Sequence, residues 1–254
     1  FFSKYEHHVA TSDYVGDVLQ TIYELPLARV HTVLNGVNAS EFYPDPAKGA
    51  ALRAKHGVPE NASLVLGVAG RLVLDKGHGL LIDAFKELII ESSVYLLVAG
   101  QGPYEEKYKA LAPRVRVLGS LPPAQLAEFY NALDIFANPT MRAQGLDHTL
   151  LEAMQCGKPV LATRFSSITR SVIIRPEFGY TFSPNVAALS EALKLVLADG
   201  RNVLRHKGEA CRAYATRMFN ADKMAASFER LFLCLHNSSY CSYPLAFDRS
   251  TCNM

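Results

Sequence analysis

Two cations, two carboxylates and an amide, held in two short stretches, are the residues best suited to chemistry in this chain. Arg71 and Lys76 follow the apolar run 64–69, within Gly70-Arg71 and Asp75-Lys76-Gly77. Cations on a loop leaving a strand, beside a helix N-terminus, suit a diphosphate: the guanidinium forks across two oxygens and the ammonium adds a point charge. Taken alone, each reads equally as a solvated surface residue, since most surface cations do nothing specific. The second stretch, 138–160, reads as strand end, polar loop and helix entry, and carries Gln144, Leu146, Asp147, His148, Thr149 and Glu152. Asp147 has the type and place of an N-cap, with the amides at 148–150 directed at an incoming anion. Glu152, expected within about the first turn, has two readings. One is a favourable charge–dipole contact worth about 0.3–1 kcal/mol. The other is a carboxylate accepting both hydroxyls of a ribose, the task of the acidic residue in dinucleotide folds. His148 reads as a polar loop residue or a ligand contact. Gly119-Ser120-Leu121 reads as a plain turn into a helix begun at Pro122-Pro123, or as a backbone edge offered to a flat base.

The elements that must position these residues alternate along the chain. Apolar runs at 64–69, 94–99, 115–118, 134–138, 159–163 and 180–182 read as strands, several of them unbroken as parallel strands covered on both faces are. Between them, Leu81, Ala84, Phe85 and Leu88 share a helical face, as do Leu126, Phe129, Tyr130 and Leu133, and Leu189, Leu193, Val196 and Leu197. This alternation predicts an α/β fold with a doubly wound, Rossmann-like parallel sheet. Upstream, 9–11 and 30–34 read as short strands around a helix over 13–23 capped by Ser12, followed by a polar turn at Asn35-Gly36-Val37-Asn38 and a basic helix over 46–56. A long helix over 221–236 carries the stripe Met224, Phe228, Leu231, Phe232 and Leu235. The expected division is 1–44, the remnant of another domain with a linker; 45–236, the Rossmann-like domain; and 237–254, a tail.

Composition bounds the remaining choices. The chain has 254 residues, 49% of them hydrophobic, and a net charge of +2, a balance that predicts neither nucleic-acid nor membrane-surface binding. No apolar run is long enough for a membrane helix. The five cysteines form no zinc pattern and no CxxC pair. Cys156 and Cys211 read as small core residues within helices, while Cys234, Cys241 and Cys252 cluster near the C-terminus and leave a disulfide open. Three N-x-S sequons, at Asn38, Asn61 and Asn237, tilt the expected location towards the secretory pathway (Golgi) over the cytoplasm. A Walker loop and a complete G-x-G-x-x-G are both absent, and no D-x-D pair is present to hold a metal–diphosphate complex. Diphosphate binding would rest on Arg, Lys and backbone amides, with no cofactor and no metal.

These pieces, taken in order, resemble glycosyltransferase family 4, the retaining enzymes of GT-B fold ("glycosyl transferases group 1"). The resemblance spans about 8–235 and is carried by H-T-V-L-N-G-V-N with F-Y-P at 31–44, G-V-A-G-R-L-V-L-D-K-G at 67–77, L-L-V-A-G-Q-G-P-Y at 96–104, V-R-V-L-G-S-L-P at 115–122, L-D-I-F-A-N-P-T at 133–140 and the 138–160 segment. M-R-A-Q-G-L-D-H-T-L-L-E-A-M is most similar to a plant subgroup. The resemblance implies the C-terminal, donor-binding half of a GT-B fold. It implies transfer of a sugar, hexosyltransferase-like and by default from a UDP-sugar, to an acceptor with retention of anomeric configuration. By position, Arg71 and Lys76 would hold and neutralise the leaving diphosphate, an electrostatic contribution to rate. Glu152 would bind ribose, Gly70 would line the phosphate loop, Gly119, Ser120 and Leu121 would meet the base, and Leu146, Asp147, His148 and Thr149 would face the phosphates and sugar. Three departures stand out: Gln144 occupies the place of the usual first glutamate near the transferred sugar, G-L-D-H replaces the commoner G-F-G-L, and most of the N-terminal, acceptor-binding domain is missing. The alternatives are a nucleotide-sugar-binding or regulatory module that does not catalyse, and a structural α/β domain associating through the 224–235 stripe.

Overall fold

The computed structural model describes residues 4–237. β1 (His8–Ala10) and β2 (Val30–Thr32) pair in parallel around α1 (Asp13–Thr21), whose start is capped by Ser12 accepting from Val15 N at 3.2 Å. Ala10, Leu19, Leu25 and Val30 form a small core of their own here. Both strands are shorter than, or offset from, their predicted spans. Val33 N still reaches Ala10 O (2.9 Å), but then the chain leaves this ladder: Val37 pairs instead with Asn220, near the far end of the sequence. α2 (Pro46–Lys55) follows, capped by Asp45 and opened by a proline, which needs no N–H there.

The main layer contains β3 (Leu64–Ala69), α3 (His78–Glu91), β4 (Val94–Ala99), α4 (Glu105–Lys109), β5 (Val115–Gly119), α5 (Pro123–Asn131), β6 (Ile135–Asn138), α6 (His148–Gln155), β7 (Val160–Thr163), α7 (Ser166–Thr169), β8 (Gly179–Phe182), α8 (Val186–Met218) and α9 (Ala221–His236). Six strands form one sheet in the order β5-β4-β3-β6-β7-β8, with every pair parallel. Each face has its own core. Alternate residues of β3 serve the two sides: Val65 packs with Phe129, Tyr130 and Leu151, while Leu64, Leu66 and Val68 pack with Leu81, Phe85 and Leu193. Each such side chain contributes about 1.5–3 kcal/mol by leaving water. This two-sided burial explains why the strands read as continuous apolar runs.

Local departures have local causes. Leu133 lies past the end of α5 rather than on its face, and it packs so closely on β3 that a Cβ at Gly67 would sit 2.2 Å from Leu133 Cδ1. α8 breaks at Gly200, which has φ +70°. Cys156 caps α6 instead of lying within it, and burial pushes its thiol up to about 12. Cys211 is buried in α8, where its Sγ donates to Phe178 O. Along the α9 stripe, Leu231 is buried but Phe232 and Leu235 are exposed, and Met224 Sδ accepts from Gly36 N at 3.3 Å. Among the described residues, no helix is long and apolar enough to cross a membrane. The tail expected at 237–254, with Cys241 and Cys252, lies outside the described residues from position 238 onwards.

Candidate functional site

The strand order reverses at β3, which has β4 on one side and β6 on the other. In open parallel sheets the crevice beyond the carboxyl ends at such a switch point is where ligands bind. Two loops meet there: 70–77 leaving β3, and 139–147 leaving β6. Gly77 (φ +74°) makes their contact possible, since a Cβ would lie 1.9 Å from Pro139 O. Met141 N donates to Asp75 O (2.9 Å), and Arg142 Nε pairs with Asp75 Oδ2 (3.0 Å). Behind the loop, His78 is almost fully buried. Its Nε2 donates to Arg71 O (3.0 Å) and its Nδ1 accepts from Tyr108 OH (2.9 Å). Burial lowers the His78 pKa, with the charge of Lys76 acting in the same direction, so the ring is a neutral brace for the loop.

Within the crevice, Lys76 Nζ lies 2.9 Å from Asp147 Oδ2 and 3.4 Å from Gln144 Oε1. Gln144 Nε2 donates to the same Asp147 oxygen (2.8 Å), as does Asn138 Nδ2 (3.2 Å), while Thr140 Oγ1 holds Asn138 Oδ1 at 2.7 Å. The other Asp147 oxygen caps α6, accepting from Thr149 Oγ1 (2.9 Å) and Thr149 N (3.3 Å). Burial pushes the Asp147 carboxyl up, but the Lys76 charge and the bonds from Lys76, Thr149 and Asn138 outweigh it and hold the pKa below the usual range. Glu152 behaves oppositely. Its Oε2 accepts from Tyr130 OH (2.7 Å), yet burial, with a push from Asp147, raises its pKa. One site therefore holds two carboxylates shifted apart, a pattern common where groups have distinct tasks.

Each predicted residue can be placed on this geometry. Lys76, Gln144, Asp147 and Thr149 form one network, with Glu152 within reach of the Asp147 charge. Arg71 is exposed on the β3 loop, its backbone carbonyl accepts from His78 Nε2, and among the described residues it forms no ion pair. Gly70 has φ +126° with open space where a Cβ would point. His148 is exposed, and Leu146 is buried with its carbonyl accepting from Asn35 Nδ2 (2.9 Å). Ser120 is exposed and Leu121 half-buried beside Gly119 (φ +75°).

One expectation needs correction. The amides at 149 and 150 are not held open for an anion: Asp147 takes the first with its side chain and the second with its carbonyl (3.1 Å), because its own cap satisfies them. Glu152 is the fifth residue of α6, just past its first turn, and its hydrogen-bond partner is the Tyr130 hydroxyl. Gly119 O accepts from Gly100 N at 2.7 Å, which leaves a second lone pair for a further donor. Sequence reasoning missed Tyr130, His78, Asn138 and Asn35 as site residues. Tyr130 was legible only as a core aromatic, although a buried tyrosine hydroxyl needs a partner. Among the described residues, no three His, Cys, Asp or Glu side chains gather as a metal site.

Fold and site together define a doubly wound α/β domain with a polar crevice at its switch point. The Glycosyl transferases group 1 family matches residues 50–218, and the chain belongs to that family. It is 30% identical over 233 residues to D-inositol 3-phosphate glycosyltransferase of Xylanimonas cellulosilytica, covering 86% of this chain and 54% of that protein. It is 31% identical over 171 residues to lipopolysaccharide 1,2-N-acetylglucosaminetransferase of Salmonella typhimurium, covering 61% of this chain and 44% of that one. The chain thus spans about half the length of these relatives. Sucrose-phosphate synthase from Thermosynechococcus elongatus superposes with TM-score 0.77 at 25% identity, over 91% of this chain and 58% of that one. The Anabaena protein HepE, crystallised with UDP and glucose, superposes with TM-score 0.77 at 20% identity over 91% of this chain and 63% of its own. The structural neighbours are GT-B glycosyltransferases, and the observed sheet is the Rossmann-like half of that architecture.

Proposed function

We propose that this chain carries the donor site of a retaining glycosyltransferase of family 4, most similar to its plant subgroup, and that the donor is a nucleoside-diphosphate sugar, UDP-linked by default. The observation that carries this reading is the meeting of Lys76, from the loop after β3, with Gln144 and Asp147 at one switch-point crevice, with Arg71 on the same loop and Glu152 on α6, the helix that Asp147 caps. Arg71 and Lys76 bind the diphosphate and stabilise its charge as the sugar leaves. Glu152 accepts from the ribose hydroxyls, with Tyr130 fixing its orientation. The donor, bound as a substrate, needs no resident metal, since both cations are side chains. The acceptor site is assigned to the part of the fold N-terminal to the Rossmann-like domain, to which β1, α1 and β2 belong, and the secretory pathway is the proposed location. The glycosyltransferase relatives support this reading, as does the UDP-bound neighbour.

Calorimetric titration of UDP, GDP and ADP against this chain and its Arg71→Ala variant tests the proposal. Binding of one nucleoside diphosphate, weakened about tenfold or more by the substitution, is expected for the loss of a charge-assisted contact. Failure of all three to bind sinks the donor-site reading. Binding without sugar transfer by the full-length protein would leave a nucleotide-sugar-binding module, a reading favoured only by the uncharged side chain at Gln144.

A further inference from the structure

Asp147 has no capacity left for a ligand. Its Oδ2 accepts from Lys76 Nζ (2.9 Å), Gln144 Nε2 (2.8 Å) and Asn138 Nδ2 (3.2 Å), and its Oδ1 accepts from Thr149 Oγ1 (2.9 Å) and Thr149 N (3.3 Å). A carboxylate offers about four lone-pair sites, and here five donors compete for them. It is also immobile, because Oδ1 is the cap of α6. A sugar hydroxyl would have to displace one of these bonds, so Asp147 acts on a bound donor through its charge, and Lys76 is the cation that charge meets at 2.9 Å. Lys76 in turn has three N–H donors. One is committed to Asp147 and a second leans on Gln144 Oε1 at 3.4 Å.

We propose that Asp147 is a built-in counter-anion that competes with the donor's diphosphate for Lys76, and that Gln144 is its matched neutral partner rather than a decayed carboxylate. This rests on the donor-site reading above. In the unliganded site Lys76 and Asp147 cancel, leaving Arg71 as the uncompensated cation of the pair that meets the diphosphate. An arriving diphosphate gains Lys76 only by sharing it with a fixed negative charge, which lowers affinity and favours release of the nucleoside diphosphate after transfer. Gln144 fits this arrangement because its amide donates to Asp147 and its carbonyl faces the ammonium. A glutamate there would set carboxylate against carboxylate on one shared cation, and two such groups cannot both ionise freely. Asp147 is a positioning residue in this scheme, and the single negative charge it shares with Lys76 sets the strength of diphosphate binding.

The test is calorimetric titration of UDP into the wild-type chain and the Asp147→Asn, Gln144→Glu and Gln144→Glu/Asp147→Asn variants, with Lys76→Ala as reference. Asp147→Asn should tighten UDP about fivefold to tenfold, a moderate effect for a partly solvated charge. Gln144→Glu should loosen it by a similar factor, and the double variant should return near wild type, because the charge has only changed position. Loosening by Asp147→Asn to the level of Lys76→Ala would overturn the proposal, since Asp147 would then merely prop the crevice. So would unchanged UDP affinity in that variant. If the wild type binds no nucleoside diphosphate, the donor reading itself fails. Urea unfolding of the same four ligand-free proteins separates the two levels: a loss in Gln144→Glu that vanishes in the Asp147→Asn background supports the matched pair, and simple additivity overturns it.

Discussion

The ammonium of Lys76 and the carboxylate of Asp147 meet at 2.9 Å, although 71 residues separate them in sequence. This contact ties the loop after β3 to the cap of α6, the two sides of the switch-point crevice. It is mostly buried, with side-chain exposures of 21% and 13%. Such a pair gains from the low local dielectric, but breaking it leaves a charge with fewer partners than its desolvation requires.

Lys76→Ala should therefore destabilise the ligand-free protein by about 1–3 kcal/mol, the range for a charged hydrogen bond with a stranded partner. Removing Asp147 as well should recover part of that loss. Urea midpoints of the two variants decide this; no loss in Lys76→Ala would mean that the pair contributes little to folding.

The Tyr130 hydroxyl is the donor that partly offsets the burial of Glu152 and favours its anion. Tyr130→Phe should cost about 1 kcal/mol of stability and raise the Glu152 pKa further. UDP affinity followed against pH should then show its acid limb displaced upwards relative to wild type. An unmoved limb would separate Glu152 from nucleotide binding.

The opposite shifts of the two carboxylates give a signed pH dependence. Asp147 has a folded pKa below its unfolded value, so its stabilisation is present above the unfolded pKa and is lost as pH falls through the folded one. Glu152 has a folded pKa above its unfolded value, so its contribution is present below the unfolded pKa and is lost as pH rises through the folded one. Nucleotide binding needs Glu152 ionised, so affinity should begin to fall above the ordinary glutamate range as the solution is acidified. Asp147→Asn should remove the acid-side loss of stability assigned to Asp147. Urea midpoints of wild type and variant across pH would show it.

Gly77 and Gly70 lie seven residues apart on one loop and predict unequal outcomes. At Gly77 a methyl group meets Pro139 O at 1.9 Å and also needs φ +74°, so Gly77→Ala should cost about 3 kcal/mol or more. At Gly70 only backbone strain applies, since nothing lies within 4 Å, and Gly70→Ala should cost about 1–3 kcal/mol. Gly145 is a third case: its Cβ would lie 2.7 Å from Thr11 Oγ1, and Thr11→Ala should relieve Gly145→Ala. Thermal unfolding ranks all three.

The stripe on α9 divides similarly. Leu231→Ala should cost about 2 kcal/mol or more, as a buried leucine, whereas Phe232→Ala should stay within about 0.5 kcal/mol. Equal effects would mean that Phe232 is covered in solution.

The strands and helices were legible because their signals are local. Two-sided burial writes itself as unbroken apolar runs at β3, β4 and β6, and helical faces such as Leu81, Ala84, Phe85 and Leu88 repeat at the helix period. The caps at Ser12 and Asp147 were also readable, since donor and acceptor lie two or three residues apart. The partner of Val37 was not, because it is Asn220, far along the sequence.

By itself, then, the sequence determined the doubly wound class, the cations on the β3 loop and the carboxylates around α6, and the motif order pointed to the family. Which of these groups face one another was decided only by the tertiary structure. Lys76 and Asp147, Tyr130 and Glu152, and Asn35 and Leu146 are brought together across 71, 22 and 111 residues by the parallel sheet and its reversal at β3. The physical reason is that periodicity and capping act over a few residues, whereas a buried charge or hydroxyl takes whatever partner the folded chain places beside it. That is why Gln144, read alone as a missing carboxylate, proves in the fold to be a hydrogen-bond donor to one.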